Sequence, residues 1–311
     1  MDKQKIEVLI ATKVWDSKPW VEGLSQFDTI GEVHVWPTEA DLSNVEALFV
    51  WKPLDEGVID RLPNLKWISS LGAGVDHLVG DKQIPAHIPI TRIVDPYLTR
   101  DMTNYVIMTT MMYQRSMIAL IKNQDKAYWD RIAYIDLKVG VLGLGQLGAH
   151  CAQHLAQLGF ETTGFSRTPK EIAGVSTFSG DQMPTFLKDL DVLINLLPVT
   201  PATDSMLNSD LFQQMKTGAY LINVARGNHV VEQDLIKAID AGQLSGATLD
   251  VFREEPLPKQ HPLWSHPKVT ITPHVASVTT PASALQLLKQ NMQKLLKGEQ
   301  LLYPVDSAAG Y

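Results

Sequence analysis

Short apolar runs separated by polar or helix-length stretches recur along the whole chain. Over about the first hundred residues they fall at 6–11, 33–36, 47–51 and 66–70, and each reads as a strand. Pro85, Pro89 and Pro96 then break the rhythm, and a Met- and Leu-rich stretch from 102 to 126 reads as a helix. A second series opens with a strand at 137–142, a glycine-rich loop and a helix reaching 158. Strands at 161–165, 192–196, 220–223, 246–250 and 269–272 follow. A last helix at 281–297 has Pro281 in its first turn and Gly298 just past its end. Strands alternating with helices predict an α/β protein, with an α/β sheet unit first and a doubly wound parallel sheet after it.

The loop Gly143-Leu144-Gly145-Gln146-Leu147-Gly148 has the spacing G-x-G-x-x-G between a predicted strand and a predicted helix, the context in which that spacing is informative. Gly143 suits the tight turn, Gly145 lets a pyrophosphate approach the backbone, and Gly148 allows close helix–strand packing. The helix beginning at Gln146 and Leu147 then offers N–H groups and a positive dipole end to the phosphates. About twenty residues on, dinucleotide sites selective for NAD carry an acid for the ribose hydroxyls. Here the strand runs out through Ser166, Arg167 and Thr168 with Lys170 close by, and no acid among them. An arginine offers a 2′-phosphate a forked, charge-assisted contact, so NADPH is expected in preference to NADH.

Three further segments each follow a strand-like run: Asn223-Val224-Ala225-Arg226-Gly227, the stretch from Asp250 to Leu257 that includes Glu255, and Thr272-Pro273-His274-Val275-Ala276. In open α/β sheets these strand ends form the ligand crevice. The pattern therefore brings a cation for an anionic substrate, an acid and a histidine to one sheet edge.

Composition removes several other readings. The chain has 311 residues, enough for two ordinary domains, and a formal net charge of −7, which argues against nucleic acid as the main partner. Its one cysteine, Cys151, can form no internal disulfide and reads as a packing residue. No Cys/His cluster has metal-ligand spacing, so no metal is expected. The apolar run after Met1-Asp2-Lys3-Gln4-Lys5 is too short for a signal peptide or membrane span, which leads to the expectation of a cytoplasmic protein without a membrane partner.

In these motifs and their order the sequence resembles the D-isomer-specific 2-hydroxyacid dehydrogenase family, in its glyoxylate/hydroxypyruvate reductase A-like branch. The likeness also takes in Leu71-Gly72-Ala73-Gly74-Val75-Asp76, Leu197-Pro198-Val199-Thr200-Pro201, Pro262-Leu263-Trp264 and the terminal Ala309-Gly310-Tyr311. The resemblance implies two Rossmann-like domains. A flavodoxin-like substrate domain would comprise 1–101 and 281–311, and an NAD(P)-binding domain 102–280. It makes His274 the acid/base, Glu255 its partner and Arg226 the group that binds substrate carboxylate and carbonyl. It assigns Asp250 to the nicotinamide carboxamide, Pro198 and Thr203 to the ribose and adenine side, and Val224 and Ala225 to further cofactor contacts. Ala73, Gly74 and Trp51 would meet a small 2-oxo acid. Around 99–105 the chain departs from the family, reading Thr103-Asn104 where many members have Ala-Glu, and this leaves substrate choice open. A homodimer built on the apolar stretch 106–121 and its continuation through Trp129 and Tyr134 is also implied. Two other functions stay open: an NAD-linked dehydrogenase of another D-2-hydroxy acid, which Arg167 disfavours, and a nucleotide-sensing, corepressor-like interaction protein on the same fold.

Overall fold

The computed structural model describes residues 5–13, 15–129, 131, 134–306 and 310; Met1–Gln4 and the terminal Ala309 and Tyr311 noted above lie outside them. The chain forms two compact units, 1–98 with 278–311, and 99–277. It passes between them at 98/99 and 277/278, against 101/102 and 280/281 expected from the resemblance.

The first segment contributes β1 (Ile6–Thr12), α1 (Lys18–Leu24), β2 (Ile30–Val35), β3 (Val45–Trp51), β4 (Trp67–Ser70) and β5 (Ile90–Thr91). The central segment holds α2 (Pro96–Gln114), α3 (Met117–Asp125), β6 (Lys138–Leu142), α4 (Gln146–Gln157), β7 (Glu161–Ser166), β8 (Ser176–Ser179), α5 (Met183–Leu187) and β9 (Val192–Asn195). It continues with α6 (Ser209–Gln214), β10 (Ala219–Asn223), α7 (Glu232–Asp240), β11 (Leu244–Leu249) and β12 (Val269–Ile271), and α8 (Pro281–Leu296) returns the chain to the first unit.

The first sheet has the order β2-β1-β3-β4-β5 and is parallel throughout. Its strands are buried on both faces, which is why they read as continuous apolar runs rather than as alternations. Ile6, Val8 and Ile10 of β1 face a core with Trp20 and Leu24 of α1 and Leu287, Leu288 and Met292 of α8. Leu9 and Ala11 face the opposite core with Leu48, Val50 and Ile68. The second sheet runs β12-β11-β10-β9-β6-β7-β8, again all parallel. The first strand of this unit, β6, sits between β9 and β7, so the order reverses beside it. Crossovers on either side of such a point open a crevice at the carboxyl ends of the strands.

Two expectations change. The single helix over 102–126 is two helices, with Ser116 between them in the left-handed region at φ 52°. The first of these also starts earlier, at Pro96. A proline is tolerated in a first helical turn, and the Asp95 carboxylate accepts a hydrogen bond from Tyr97 N at 2.8 Å, so Pro96 opens the helix rather than breaking the pattern.

Candidate active site

The ends of β9, β10, β11 and β12 lie in register: Asn223 pairs with Asn195 and Leu249, and Leu249 with Ile271. The loops at 196–205, 224–230, 250–257 and 272–277 therefore leave the sheet at one edge, beside the loop that follows Leu142, itself paired with Asn195.

The glycine loop fits a dinucleotide. Gly143 takes φ +104°, and its N–H donates to Phe165 O at 2.9 Å, tying the turn to the neighbouring strand. A Cβ on Gly148 would lie 1.8 Å from the Gly143 carbonyl oxygen, so only glycine lets α4 come this close to its own loop. Gly145, by contrast, has open space where a Cβ would be, and it caps α4. The first bond within that helix is Ala149 N to Gly145 O (2.9 Å), so the amides of Gln146, Leu147 and Gly148 precede the helical ladder in the way that suits an anion. Arg167 is exposed two residues beyond the carbonyl that holds Gly143, and Ser166 turns its hydroxyl back to Thr168 O (2.7 Å).

The ionisable groups gather on the other loops. His274 Nδ1 lies 2.8 Å from Glu255 Oε2, and the two side chains are 28% and 22% exposed, so the pair is partly screened from water. Glu255 Oε1 accepts from Phe252 N (3.2 Å), which fixes the carboxylate at both oxygens. His274 has φ 56°, a left-handed conformation unusual for a non-glycine residue. It is held there from below. Its N–H donates to Asp250 O (2.8 Å), while the buried Asp250 carboxylate accepts from Val275 N, Ala276 N (2.9 Å each) and Thr272 Oγ1 (2.6 Å). The Tyr105 hydroxyl, 2.5 Å from Thr272 Oγ1, completes this chain as the donor. The Tyr105 phenol is pushed up to about 12, chiefly by burial, with the bond to Thr272 opposing the rise and Asp250 adding to it.

Arg226 follows β10, half-buried, with Nη1 donating to Ala225 O (2.8 Å). Its backbone is organised by buried asparagines: Asn223 Nδ2 donates to Arg226 O (3.0 Å), and Asn223 Oδ1 accepts from Ala225 N (3.3 Å) and from Asn195 Nδ2 (3.0 Å). The fully buried His229 sets one ring nitrogen 3.2 Å from Arg226 O and the other 3.2 Å from Pro198 O. Val224 and Ala225 are buried under this turn. Thr203 commits its hydroxyl to its own loop, donating to Pro198 O (2.7 Å) and accepting from Thr200 N (2.9 Å).

In the first unit, Ser70 Oγ donates to Gly74 O (2.7 Å) and accepts from Gly72 N (3.2 Å), closing the turn that presents the half-buried Ala73 and Gly74. The Trp51 ring lies directly on Gly72, where a Cβ would come within 2.3 Å of it, and is stacked on Trp15 at 4.7 Å with His77 edge-on at 5.5 Å. The turn and the aromatic wall are thus one assembly.

Asn195, Asn223, Tyr105, Thr272 and His229 went unremarked or without a site role in the sequence. The signal for the asparagines was present: each is the polar residue ending an otherwise apolar strand. Cys151 is buried against α2, 3.5 Å from Thr103 Oγ1, and burial pushes its thiol up to about 12. It is accordingly a protonated packing group at neutral pH. A thiol titration of the native protein at pH 8 should find no reactive cysteine and one after denaturation; stoichiometric labelling of the native state would contradict this burial.

Residues 107–276 match the family model described as D-isomer specific 2-hydroxyacid dehydrogenase, NAD binding domain. The glyoxylate/hydroxypyruvate reductase A of Yersinia enterocolitica is 39% identical over 306 residues, covering 96% of this chain and 97% of its own. Two solved structures are similar over 99% of this chain and all of theirs, each with a TM-score of 0.93. One is a D-isomer specific 2-hydroxyacid dehydrogenase from Xanthobacter autotrophicus in complex with NADPH and MES (36% identical). The other is an NADPH-dependent glyoxylate/hydroxypyruvate reductase from Sinorhizobium meliloti in complex with NADP and sulfate (32% identical). The family model and these relatives define a dehydrogenase of the α/β kind. The chain belongs to the D-isomer-specific 2-hydroxyacid dehydrogenase family.

Proposed function

We propose that this protein is an NADPH-dependent reductase of small 2-oxo acids, taking glyoxylate to glycolate and hydroxypyruvate to D-glycerate. The observation that carries the reading is the 2.8 Å contact of His274 Nδ1 with Glu255, on loops from the sheet edge that also bears the glycine loop. The contact orients the ring and leaves Nε2 to deliver a proton. NADPH, when bound, supplies the hydride to the substrate carbonyl carbon. His274 protonates the oxygen as it becomes an alkoxide, and Glu255 holds the ring in place for that transfer. Arg226 neutralises the substrate carboxylate and polarises its carbonyl. The family resemblance adds Ala73, Gly74 and Trp51 as candidate contacts of the 2-oxo acid. The loop 143–148 holds the pyrophosphate, Ser166, Arg167 and Thr168 the adenosine end, and Pro198, Thr203, Val224, Ala225 and Asp250 the remainder of the cofactor.

The test is NADPH oxidation, followed by absorbance, with glyoxylate and with hydroxypyruvate. Turnover of neither would defeat the proposal. The cofactor assignment has its own measurement. Arg167→Ala should raise the KM for NADPH by about ten- to a hundredfold, the equivalent of one charge-assisted contact, and leave the KM for NADH nearly unchanged. Equal effects on both cofactors would remove the 2′-phosphate role.

We read the protein as a cytoplasmic homodimer. Among the described residues no helix is long and apolar enough to cross a membrane. Met108 of α2, Met117 and Ile121 of α3, and Tyr128, Trp129, Tyr134 and Ile135 after them are exposed, Trp129 at 91%, and large apolar side chains left in water are of the kind a second copy covers. Sedimentation equilibrium should give about twice the chain mass of 34.5 kDa; Trp129→Asp with Ile121→Asp should give the monomer.

A further inference from the structure

Arg253 lies between Asp250 and Glu255 and has no part in the chemistry proposed above. Its guanidinium nevertheless ties together three of the four site loops. Nε donates to Val230 O (3.0 Å), and Nη2 lies 2.6 Å from Asn228 O, 2.7 Å from Ser205 Oγ and 3.2 Å from Asp204 Oδ1. Ser205, at φ 56°, in turn donates from its backbone N–H to the same Asn228 O (2.9 Å) and from Oγ to Asp204 (2.8 Å). The Arg253 side chain is 38% exposed, so its ion pair with Asp204 is screened by water and contributes little. The contacts that matter are those to the two carbonyls, because they fix backbone rather than another mobile side chain. Below the guanidinium the two backbones touch. A Cβ on Gly227 would stand 1.8 Å from Phe252 C and 2.3 Å from Arg253 N. Phe252 is the residue whose N–H holds Glu255 Oε1. The turn bearing Arg226 therefore rests on the segment bearing Glu255, and Arg253 is the side chain that reaches over to clasp it.

We propose that Arg253 is a positioning residue: by clasping the carbonyls of Asn228 and Val230 it locks the 226–230 turn onto the 250–255 segment and so sets where Arg226 stands relative to the His274–Glu255 pair. The proposal rests on Arg226 being the group that binds the 2-oxo acid. A guanidinium suits the task because its planar fork offers Nε and Nη2 together to two carbonyls, whereas a lysine ammonium presents one compact donor and cannot span both.

The test compares Arg253→Met and Arg253→Lys in the wild-type chain and in an Arg226→Lys background. Arg253→Met keeps the aliphatic stem and removes the fork. It should speed hydrogen–deuterium exchange of the amides at 204–207 and 226–231 with the rest of the second sheet unchanged, the signature of a local opening. It should raise the KM for glyoxylate by about tenfold or more, as expected for losing charge-assisted contacts, with the NADPH dissociation constant held. Arg253→Lys should recover only part of that loss. In the Arg226→Lys background Arg253→Met should cost less than about twofold, since residues acting through one another are not additive. Unchanged exchange would show that Arg253 does not hold the turn. Equal losses in both backgrounds would show that it acts otherwise than through Arg226. Either result overturns the proposal. Absence of turnover in the wild-type chain is a separate outcome that removes the reductase reading, and the exchange measurement still decides the clasp.

Discussion

His274→Ala is expected to lower kcat for glyoxylate by about 10²- to 10⁴-fold, the usual contribution of a positioned general acid, and to leave NADPH binding unchanged. The selectivity follows from how the loop is built. His274 sits at φ 56°, but what holds it there is Asp250, through its carbonyl to His274 N and its carboxylate to Val275 N, Ala276 N and Thr272. None of these bonds uses the imidazole, and alanine has the same Cβ, so the loop keeps its conformation and its strain. What disappears is the proton donor and the partner of Glu255. Glu255→Gln keeps the histidine and replaces a charge by a dipole, so its loss should be smaller. The measurements are steady-state rates and a fluorescence titration with NADPH. A His274→Ala enzyme within tenfold of wild type would mean that the proton comes from elsewhere, and a large loss in NADPH affinity would mean that the loop had collapsed.

The parts of this design that were legible in the sequence are those written in local order. Strands buried on both faces appear as plain apolar runs, so β1, β3, β6, β9 and β10 could be placed to within a residue or two. The glycine loop was visible because its spacing comes from close backbone contact, and Gly148 against the Gly143 carbonyl is that contact. Arg226, Glu255 and His274 were legible as ends of predicted strands. By contrast β8, Ser-Thr-Phe-Ser, is an edge strand with one apolar residue, and β5 is two residues long, so neither has a period to detect. Pro96 read as a breaker because the same residue type stops a helix from inside and starts one from its first turn. The supports of the site were the least visible. Tyr105 reaches Thr272 across 167 positions, and Arg253 reaches Asp204 across 49, and nothing in local spacing announces such pairs. The candidate catalytic residues could thus be named from strand order together with the family resemblance, while the residues that hold them in place required the fold.

Arg226→Gln is expected to reduce kcat/KM for glyoxylate by about 10³-fold, roughly 4 kcal/mol of transition-state stabilisation. The charge acts twice. It neutralises a carboxylate in the ground state, which appears in KM, and it meets the developing oxyanion in the transition state, which appears in kcat. Both parameters should therefore move, in contrast to His274→Ala, where kcat should carry nearly the whole loss. The surrounding turn gives reason to expect a clean result. Asn223 Nδ2 and the His229 ring and N–H bind the Arg226 carbonyl, not its side chain, and Gly227 is fixed by its contact with Phe252. Glutamine removes the guanidinium contact from Nη1 to Ala225 O, and its amide is long enough to approach the same oxygen. Arg226→Lys restores the charge without the planar fork and should recover a part of the loss, mostly in KM. A Gln variant with an altered KM and an unchanged kcat would leave Arg226 as a binding group only, and the carbonyl would then have to be polarised by the His274 imidazolium alone.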